Sequence, residues 1–323
     1  MTTDDLYEEL ARTPGLRATR HRPLGPLTTY GVGGPAALFV EVEGPADLAA
    51  LRRALRGLDV ATLVIGRGSN LLVADAGFDG VALRLGAGFA SVTLPDAAVD
   101  SEPPLVSAGA AVPLPVLARQ AAEAGWSGLA WAVGVPGSVG GAVRMNAGGH
   151  GSDMASCLHR YHWVDLLGES GGTDGPSRLA YGYRSSSVRP SEVVVGADLV
   201  VTPGAAEVER AAVSSIVRWR RQHQPGGANA GSVFTNPEGD SAGRLIEAAG
   251  LKGFRLGSAQ VSPKHANFIQ ADKGGRADDV RALMAHVQGA VLERCAVLLT
   301  AEVRLLGFGD WETAGVRASE PGR

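Results

Sequence analysis

The sequence predicts an α+β fold, and three observations carry that reading. A strand, a helix and a second strand follow one another near the N-terminus, a run of short strands comes next, and the last third is rich in helices. That order differs from the regular alternation of a doubly wound sheet, so helices and strands are expected to segregate, with a ligand held where the parts meet. At 323 residues the chain is long enough for two or three domains, each with a core of its own.

Residues 1–20 read as a short amphipathic helix or arm, and residues 38–42 as a strand. Residues 45–57 read as a helix: Pro45 suits its first turn, Leu48, Leu51 and Leu55 share a face, and Gly57 ends it. Residues 60–65 form the second strand of the β-α-β unit, and 81–85, 91–94 and 105–108 are short strands between turns. Residues 113–124 read as a helix with Leu114, Leu117 and Ala121 on one stripe and Gly125 as its stop; 161–167 and 193–201 are β-rich. A domain boundary is expected near Pro203–Gly204. After it come a long helix at 206–223, a loop at 225–230, helices at 241–249 and 276–295, and an alternating strand at 297–306. On the 276–295 helix, Val280, Leu283, Met284, Val287 and Val291 line one face, and the polar tail after Phe308 reads as disordered.

Composition narrows the function. Hydrophobic content of 45% and charged content of 20% are ordinary for a globular protein, and a net charge of −3 offers nucleic acid no basic field. Arginine dominates the cations, with Lys252, Lys264 and Lys273 the lysines, a bias that genome composition explains. Asp4, Asp5, Glu8 and Glu9 stand where a signal peptide needs positive charge, and no apolar run reaches membrane-span length, so the expected location is cytoplasmic. Cys157 and Cys295 lack metal-type spacing and read as reduced, buried thiols, and the histidines show no H-E-x-x-H pattern, so no metal is expected.

Two glycine-rich loops stand out. One is Gly66-Arg67-Gly68-Ser69-Asn70, directly after an apolar run; the other spans residues 132–151 and is stiffened by Pro136. Glycine lets backbone N–H groups approach a ligand closely, and successive free N–H groups bind anions such as pyrophosphate. The pair suggests a large phosphate-bearing cofactor between them. The first loop lacks the third glycine of a dinucleotide fingerprint, no G-x-x-x-x-G-K-[ST] loop exists, and Pro136 stands where a nucleophile elbow needs glycine. A nicotinamide-binding Rossmann fold and a serine hydrolase are therefore disfavoured.

Taken together, several segments resemble the UDP-N-acetylenolpyruvoylglucosamine reductase (MurB) family of flavoenzymes. They are Thr28-Thr29-Tyr30-Gly31-Val32-Gly33-Gly34, G-R-G-S-N-L-L at 66–72, V-G-V-P-G-S-V-G-G-A-V-R-M-N-A-G at 133–148, Y-G-Y-R-S-S at 181–186, A-G-S-V-F-T-N-P at 230–237, P-K-H-A-N-F-I at 263–269 and A-E-V-R at 301–304. They keep the family's order over roughly residues 28–306. The resemblance implies a two-subdomain FAD-binding unit of the vanillyl-alcohol-oxidase type at 28–204, after an arm at 1–27, a C-terminal α+β substrate domain at 205–308 and a disordered tail at 309–323. The short gap between the Y-R and G-S-V-F motifs resembles the family type that lacks a tyrosine-bearing loop over the substrate.

The resemblance also implies chemistry: NADPH-dependent reduction of an enolpyruvyl nucleotide sugar through FAD, in peptidoglycan precursor synthesis; a monomer is expected. Arg184 matches the family's catalytic arginine, Ser232 its proton donor and Glu302 its catalytic glutamate. A guanidinium grips both oxygens of a carboxylate, and a well-placed hydroxyl can protonate a carbanion-like centre. Read locally, Arg184 is a surface arginine in a serine-rich turn, Ser232 a turn serine, and Glu302 one half of a same-face pair with Arg304 on a strand; the resemblance reverses those readings. FAD contacts carry over to Gly66, Arg67, Gly68, Ser69, Asn70 and Leu71, and to Gly134, Pro136, Gly137, Ser138, Gly140, Gly141, Asn146 and Ala147. Tyr183 and Asn236 are expected beside the substrate, whereas His265 and Asn267 read as structural supports. The chain departs from the family at Thr235 and at His223, where relatives carry cations; Arg218, Arg220, Arg221 or Arg244 could replace them. Two rival readings stand beside this one: an oxygen-using flavin oxidase, in which His150 is the loop histidine available for a covalent link, and a flavoprotein without turnover.

Overall fold

Leu48, Leu51 and Leu55 fall on one stripe of the helix Pro45–Leu55, and all three are buried. Pro45 opens that helix, Asp47 accepts the N–H groups of Glu43 and Gly44 at 3.1 and 3.2 Å, and Gly57 leaves it in the left-handed region at φ +75°. The computed structural model describes residues 2–96 and 103–309. It divides into two interleaved units: residues 1–20, 38–67 and 80–220 form the first, and residues 21–37, 68–79 and 221–323 the second. The sequence expectation of contiguous domains meeting near residue 204 does not anticipate this interleaving; the helix Ala206–His223 belongs to the first unit as far as Arg220.

A four-stranded sheet, most of whose residues belong to the first unit, has the order Arg17–Pro23, Pro35–Val42, Phe78–Leu85, Thr62–Val64, and Thr62–Val64 runs parallel to Phe78–Leu85. The helix Pro45–Leu55 joins Leu38, Val40, Val42, Val81 and Leu83 in one core. A five-stranded antiparallel sheet follows, with order Gly171–Asp174, Leu158–Asp165, Glu192–Val200, Leu105–Gly109, Val92–Thr93. Its pairing shifts between His162 and Trp163, which oppose Gly196 and Val194, so Val195 is the extra residue of a bulge. The bulge explains why Val193 and Val195 pack on the first core while Val194, Ala197 and Leu199 pack on a second, with Leu114, Leu117 and Ala121 of the helix Leu114–Glu123.

The glycine-rich stretch conceals a helix that its sequence does not advertise, Val139–Met145. Two glycines depress its propensity, but Val139, Ala142 and Val143 are buried on one face and hold it. Glycine at 140 has a packing reason: a Cβ there would come within 2.8 Å of the Ala110 Cβ.

In the second unit, the helix Ala277–Cys295 buries Val280, Leu283, Met284, Val287 and Val291, the stripe expected from sequence. They share a core with Tyr30, Val32, Leu72, Val233, Phe234 and the helix Ala242–Ala248. A three-stranded antiparallel sheet, Arg255–Leu256, Ala259–Val261 and Ile269–Ala271, lies against the same core. The strand expected at 297–306 is much shorter. Only Arg304–Leu306 forms a ladder, parallel to Leu71–Val73, while Ala301 makes an isolated bridge to Phe234 and Val303 is a buried bend. Val303, with Ala301 and Leu305, packs on the second unit's core, so the inward positions keep the expected alternation although the ladder is short. Cys157 and Cys295 are both free; Cys157 is buried, and burial pushes its thiol up to about 12, whereas Cys295 is half-buried. The tail expected to be disordered lies, from residue 310 on, outside the described residues.

Candidate active site

Ser232 follows Gly231, which sits at φ +80° and whose N–H donates to Asn229 Oδ1 at 3.0 Å. The next two residues are buried and held from both sides. On one side the Val233 N–H donates to the Asn267 carbonyl at 2.9 Å, and the buried Asn267 carboxamide pairs with both backbone groups of Phe234. On the other side the Glu302 N–H donates to the Val233 carbonyl at 2.8 Å, and the Thr235 N–H donates to the Thr300 carbonyl at 2.9 Å. Residues 232 and 302 therefore stand on adjacent segments, brought together across a long stretch of sequence. Asn267, read from sequence as a support, is the residue that completes this pairing.

Glu302 is held on its other side as well. Asn70 Nδ2 donates to the Glu302 carbonyl at 3.2 Å, and the Arg304 N–H donates to the Asn70 carbonyl at 3.0 Å.

Arg184 belongs to the first unit, at the corner of a tight turn. Gly182 and Ser185 exchange backbone hydrogen bonds at 3.2 and 3.4 Å, and Arg184 takes φ +52°, a conformation that non-glycine residues adopt rarely. Its Nη2 donates to the Gly148 carbonyl at 2.7 Å and its Nη1 to the Asn146 carbonyl at 3.3 Å. Asn146, at φ +42°, fastens the same turn: its Nδ2 donates to the Gly182 carbonyl at 3.1 Å, and its Oδ1 accepts the Ala155 N–H at 2.9 Å. The turn is thus docked on the residues that follow the helix Val139–Met145. Tyr183 beside it is 63% exposed, its ring centroid 5.0 Å from the Arg184 guanidinium carbon.

Gly66 and Arg67, which open the first glycine-rich loop, meet the second loop within the first unit. Arg67 Nε donates to the Pro136 carbonyl at 3.2 Å, and a Cβ on Gly66 would fall 2.4 Å from Ser138 Oγ. Ser138 stands at the helix N-cap without capping it; the Val139 and Gly140 N–H groups donate to Val112 and Ala110 carbonyls. Gly134 backs onto the His150 ring, which meets Trp219 edge-on at 5.1 Å; burial and then Arg220 lower the His150 pKa. Trp131 is buried in the segment Ala130–Gly134 leading into the second loop, and its indole N–H has no partner among the described residues. Side-chain-poor loops in contact, an arginine beside them and an unpaired buried donor fit a large cofactor rich in carbonyl and phosphate oxygens.

A family model described as an FAD binding domain matches residues 36–173, and one described as the UDP-N-acetylenolpyruvoylglucosamine reductase C-terminal domain matches residues 222–306. The UDP-N-acetylenolpyruvoylglucosamine reductase of Heliobacterium modesticaldum is 41% identical over 301 residues, covering 92% of this chain and 93% of its own. The chain belongs to the UDP-N-acetylenolpyruvoylglucosamine reductase family. The reductase of Synechococcus sp. strain WH7803 is 42% identical over 295 residues, covering 88% of this chain and 92% of its own. The crystal structure of the reductase from Thermus caldophilus superposes with a TM-score of 0.75 at 34% identity, covering 90% of this chain and 98% of that one. As a member of the reductase family the chain is an FAD-dependent oxidoreductase of α+β fold, an FAD-binding domain followed by the family's C-terminal domain.

Other expected site residues have visible structural partners. Asn236 is exposed and its Oδ1 accepts the Ala242 N–H at 3.1 Å, at the start of the helix Ala242–Ala248. Of the arginines considered as replacement cations, Arg244 is bound by both Asp240 carboxylate oxygens, which holds Asp240 down at about 2. Among the described residues no cluster of metal-ligating side chains occurs, and no helix is long and apolar enough to cross a membrane.

Proposed function

We propose that this reductase converts UDP-N-acetylglucosamine enolpyruvate to UDP-N-acetylmuramate, using NADPH, and that Arg184, Ser232 and Glu302 carry the chemistry. When bound, FAD would supply the hydride chemistry that links NADPH to C3 of the enolpyruvyl group. The residues that would hold it are those of the loops Gly66–Leu71 and Gly134–Ala147. As C3 gains hydride, the C2–C3 π pair moves to C2 and spreads into the adjacent carboxylate. The Arg184 guanidinium is always charged and can bind both carboxylate oxygens, so it stabilises that charge. The Ser232 hydroxyl gives its proton to C2, and its oxygen regains one from water. Glu302, on the neighbouring segment, acts beside the same carboxylate; a protonated carboxyl would donate a hydrogen bond to the growing charge. The enzyme works as a cytoplasmic monomer of the type without the tyrosine-bearing loop, with residues 205–308 taking the nucleotide sugar and no nucleic acid as partner.

The observation that supports this reading most directly is the bond from the Glu302 N–H to the Val233 carbonyl, 2.8 Å, which sets a hydroxyl and a carboxyl on adjacent segments. The test is NADPH oxidation by the purified, FAD-loaded protein under anaerobic conditions. Consumption that depends on the enolpyruvyl sugar, with a lactyl ether product, is expected. Ser232→Ala is expected to keep flavin reduction by NADPH and to lose product formation. NADPH consumption that depends on oxygen and ignores the sugar would establish the oxidase reading instead, and a protein that binds FAD but turns over neither would be the inert flavoprotein.

A further inference from the structure

Both peptide groups of Glu302 are fixed from outside its own segment. Its N–H donates to Val233, and its carbonyl accepts from the Asn70 side chain at 3.2 Å. The regular ladder between Leu71–Val73 and Arg304–Leu306 begins only at the pair Leu71 and Arg304. One residue earlier the chain bends at Val303. The Asn70 carboxamide spans the bend, while the Asn70 backbone carbonyl takes the Arg304 N–H at 3.0 Å. Asn70 thereby grips the chain on both sides of the bend.

We infer that Asn70 is a positioning residue for Glu302. It fixes the backbone from which the carboxyl projects, so the loop that carries the cofactor signature also sets where the catalytic carboxyl stands. The inference rests on the reductase reading above and adds a role for Asn70 that acts through Glu302 and is separable from cofactor binding. One Nδ2 hydrogen is engaged by the Glu302 carbonyl. Aspartate at this position keeps the shape but sets a carboxylate oxygen against that carbonyl, so Asn70→Asp breaks the grip by repulsion as well as by loss. Alanine removes the contact without the repulsion.

The experiment compares wild type, Asn70→Asp, Asn70→Ala, Glu302→Gln and the Asn70→Asp/Glu302→Gln double variant. FAD content is read by absorbance and folding by thermal melting. Anaerobic stopped flow then separates flavin bleaching by NADPH from flavin reoxidation by the enolpyruvyl sugar. Hydrogen–deuterium exchange reads the segment around 299–306. Asn70 lies in the loop that would hold the cofactor, so rates are compared per bound FAD; in Asn70→Asp we expect reoxidation to slow by about 10- to 100-fold more than bleaching, the scale of a small misplacement of a reacting group. The Asn70→Asp effect should largely vanish in the Glu302→Gln background, because the two changes act on one group. Amide exchange over 299–306 should quicken in both Asn70 variants. The inference is overturned by complete loss of FAD, by equal slowing of both half-reactions per bound FAD, by full additivity in the double variant, or by unchanged exchange. A wild type whose reduced flavin ignores the enolpyruvyl sugar would instead remove the reductase reading, and the exchange result would still show whether Asn70 holds the segment.

Discussion

The Asn267 carboxamide completes both backbone groups of Phe234: the Phe234 N–H donates to Oδ1 at 3.0 Å, and Nδ2 donates to the Phe234 carbonyl at 2.8 Å. A side chain here does what a neighbouring strand would do, at a position where no strand runs. Asn267 is 3% exposed and Phe234 1%, so water cannot replace it. Each buried backbone group left unpaired costs about 1–3 kcal/mol. Asn267→Ala is therefore expected to lower stability by about 2 kcal/mol or more, read from the urea midpoint, and Asn267→Asp at least as much, because it replaces the donated bond with a buried carboxylate oxygen set against the Phe234 carbonyl. An Asn267→Ala midpoint equal to wild type would show that the pair is dispensable.

The contact between Gly66 and Ser138 gives a prediction about the loops themselves. A Cβ at position 66 meets Ser138 Oγ at 2.4 Å but Ser138 Cβ at 3.5 Å, an ordinary contact. The obstacle is one hydroxyl oxygen. Gly66→Ala should reduce FAD retention, and adding Ser138→Ala should restore it toward the level of Ser138→Ala alone. Failure of the second change to rescue would mean that position 66 excludes side chains for the sake of the cofactor and not of Ser138.

Asp75 caps a helix from a distant part of the sequence. The helix Ala277–Cys295 begins after Arg276, whose side chain does not cap it. Asp75 Oδ1 accepts the Ala277 N–H at 2.9 Å and Oδ2 the Asp278 N–H at 3.2 Å. Loss of such a cap typically costs about 1 kcal/mol. Asp75→Ala should lower the urea midpoint correspondingly, and Asp75→Asn, which keeps one acceptor, should lower it less.

How far these relationships can be read from sequence depends on their range. The helices with leucine or valine stripes are legible because periodicity is local, and both glycine-rich loops are legible because their composition is unusual. The helix Val139–Met145 is not, since Gly140 and Gly141 argue against it and only burial of Val139, Ala142 and Val143 reveals it. The strand at 297–306 misleads for the opposite reason: its alternation is local and Ala301, Val303 and Leu305 do face the core, but the ladder partner Leu71–Val73 is short. Among the proposed site residues, Arg184, Ser232 and Glu302 are recognisable by motif. Their supports are not, because Asn70 and Glu302 lie 232 residues apart and nothing near either names the other.

Acid should unfold the first unit through buried carboxylates. Burial raises the Glu192 pKa, but the Arg189 N–H and the Arg178 and Arg189 guanidinium groups outweigh it and hold the carboxyl below its usual range. Asp165 and Asp198 are likewise raised by burial and lowered further by hydrogen bonds, with Arg189 and Arg160 among the partners. A depressed folded-state pKa means that the unfolded chain binds protons first as pH falls. The stabilisation is complete above the unfolded carboxylate range, near pH 4, and is lost as pH falls through the lower folded values. The urea midpoint should therefore drop between about pH 5 and about pH 3. Glu192→Gln should start from a lower midpoint at neutral pH and show a shallower drop; an unchanged slope would remove Glu192 from the account.

Arg184→Lys separates charge from shape. Arginine and lysine carry the same backbone penalty at φ +52°, so the exchange leaves turn strain unchanged and alters only the head group. The guanidinium is planar and is oriented by two carbonyls, Gly148 at 2.7 Å and Asn146 at 3.3 Å, through different nitrogens. An ammonium can satisfy one of them but cannot present a fork to a carboxylate at the same time. If the arginine stabilises charge that grows only during hydride transfer, kcat should fall by about 100- to 1,000-fold, the usual cost of removing one such donor, with FAD content unchanged and KM altered little. A lysine variant that turns over within a few-fold of wild type would mean that a single positive charge suffices and that the planar geometry held by Gly148 and Asn146 serves the turn alone.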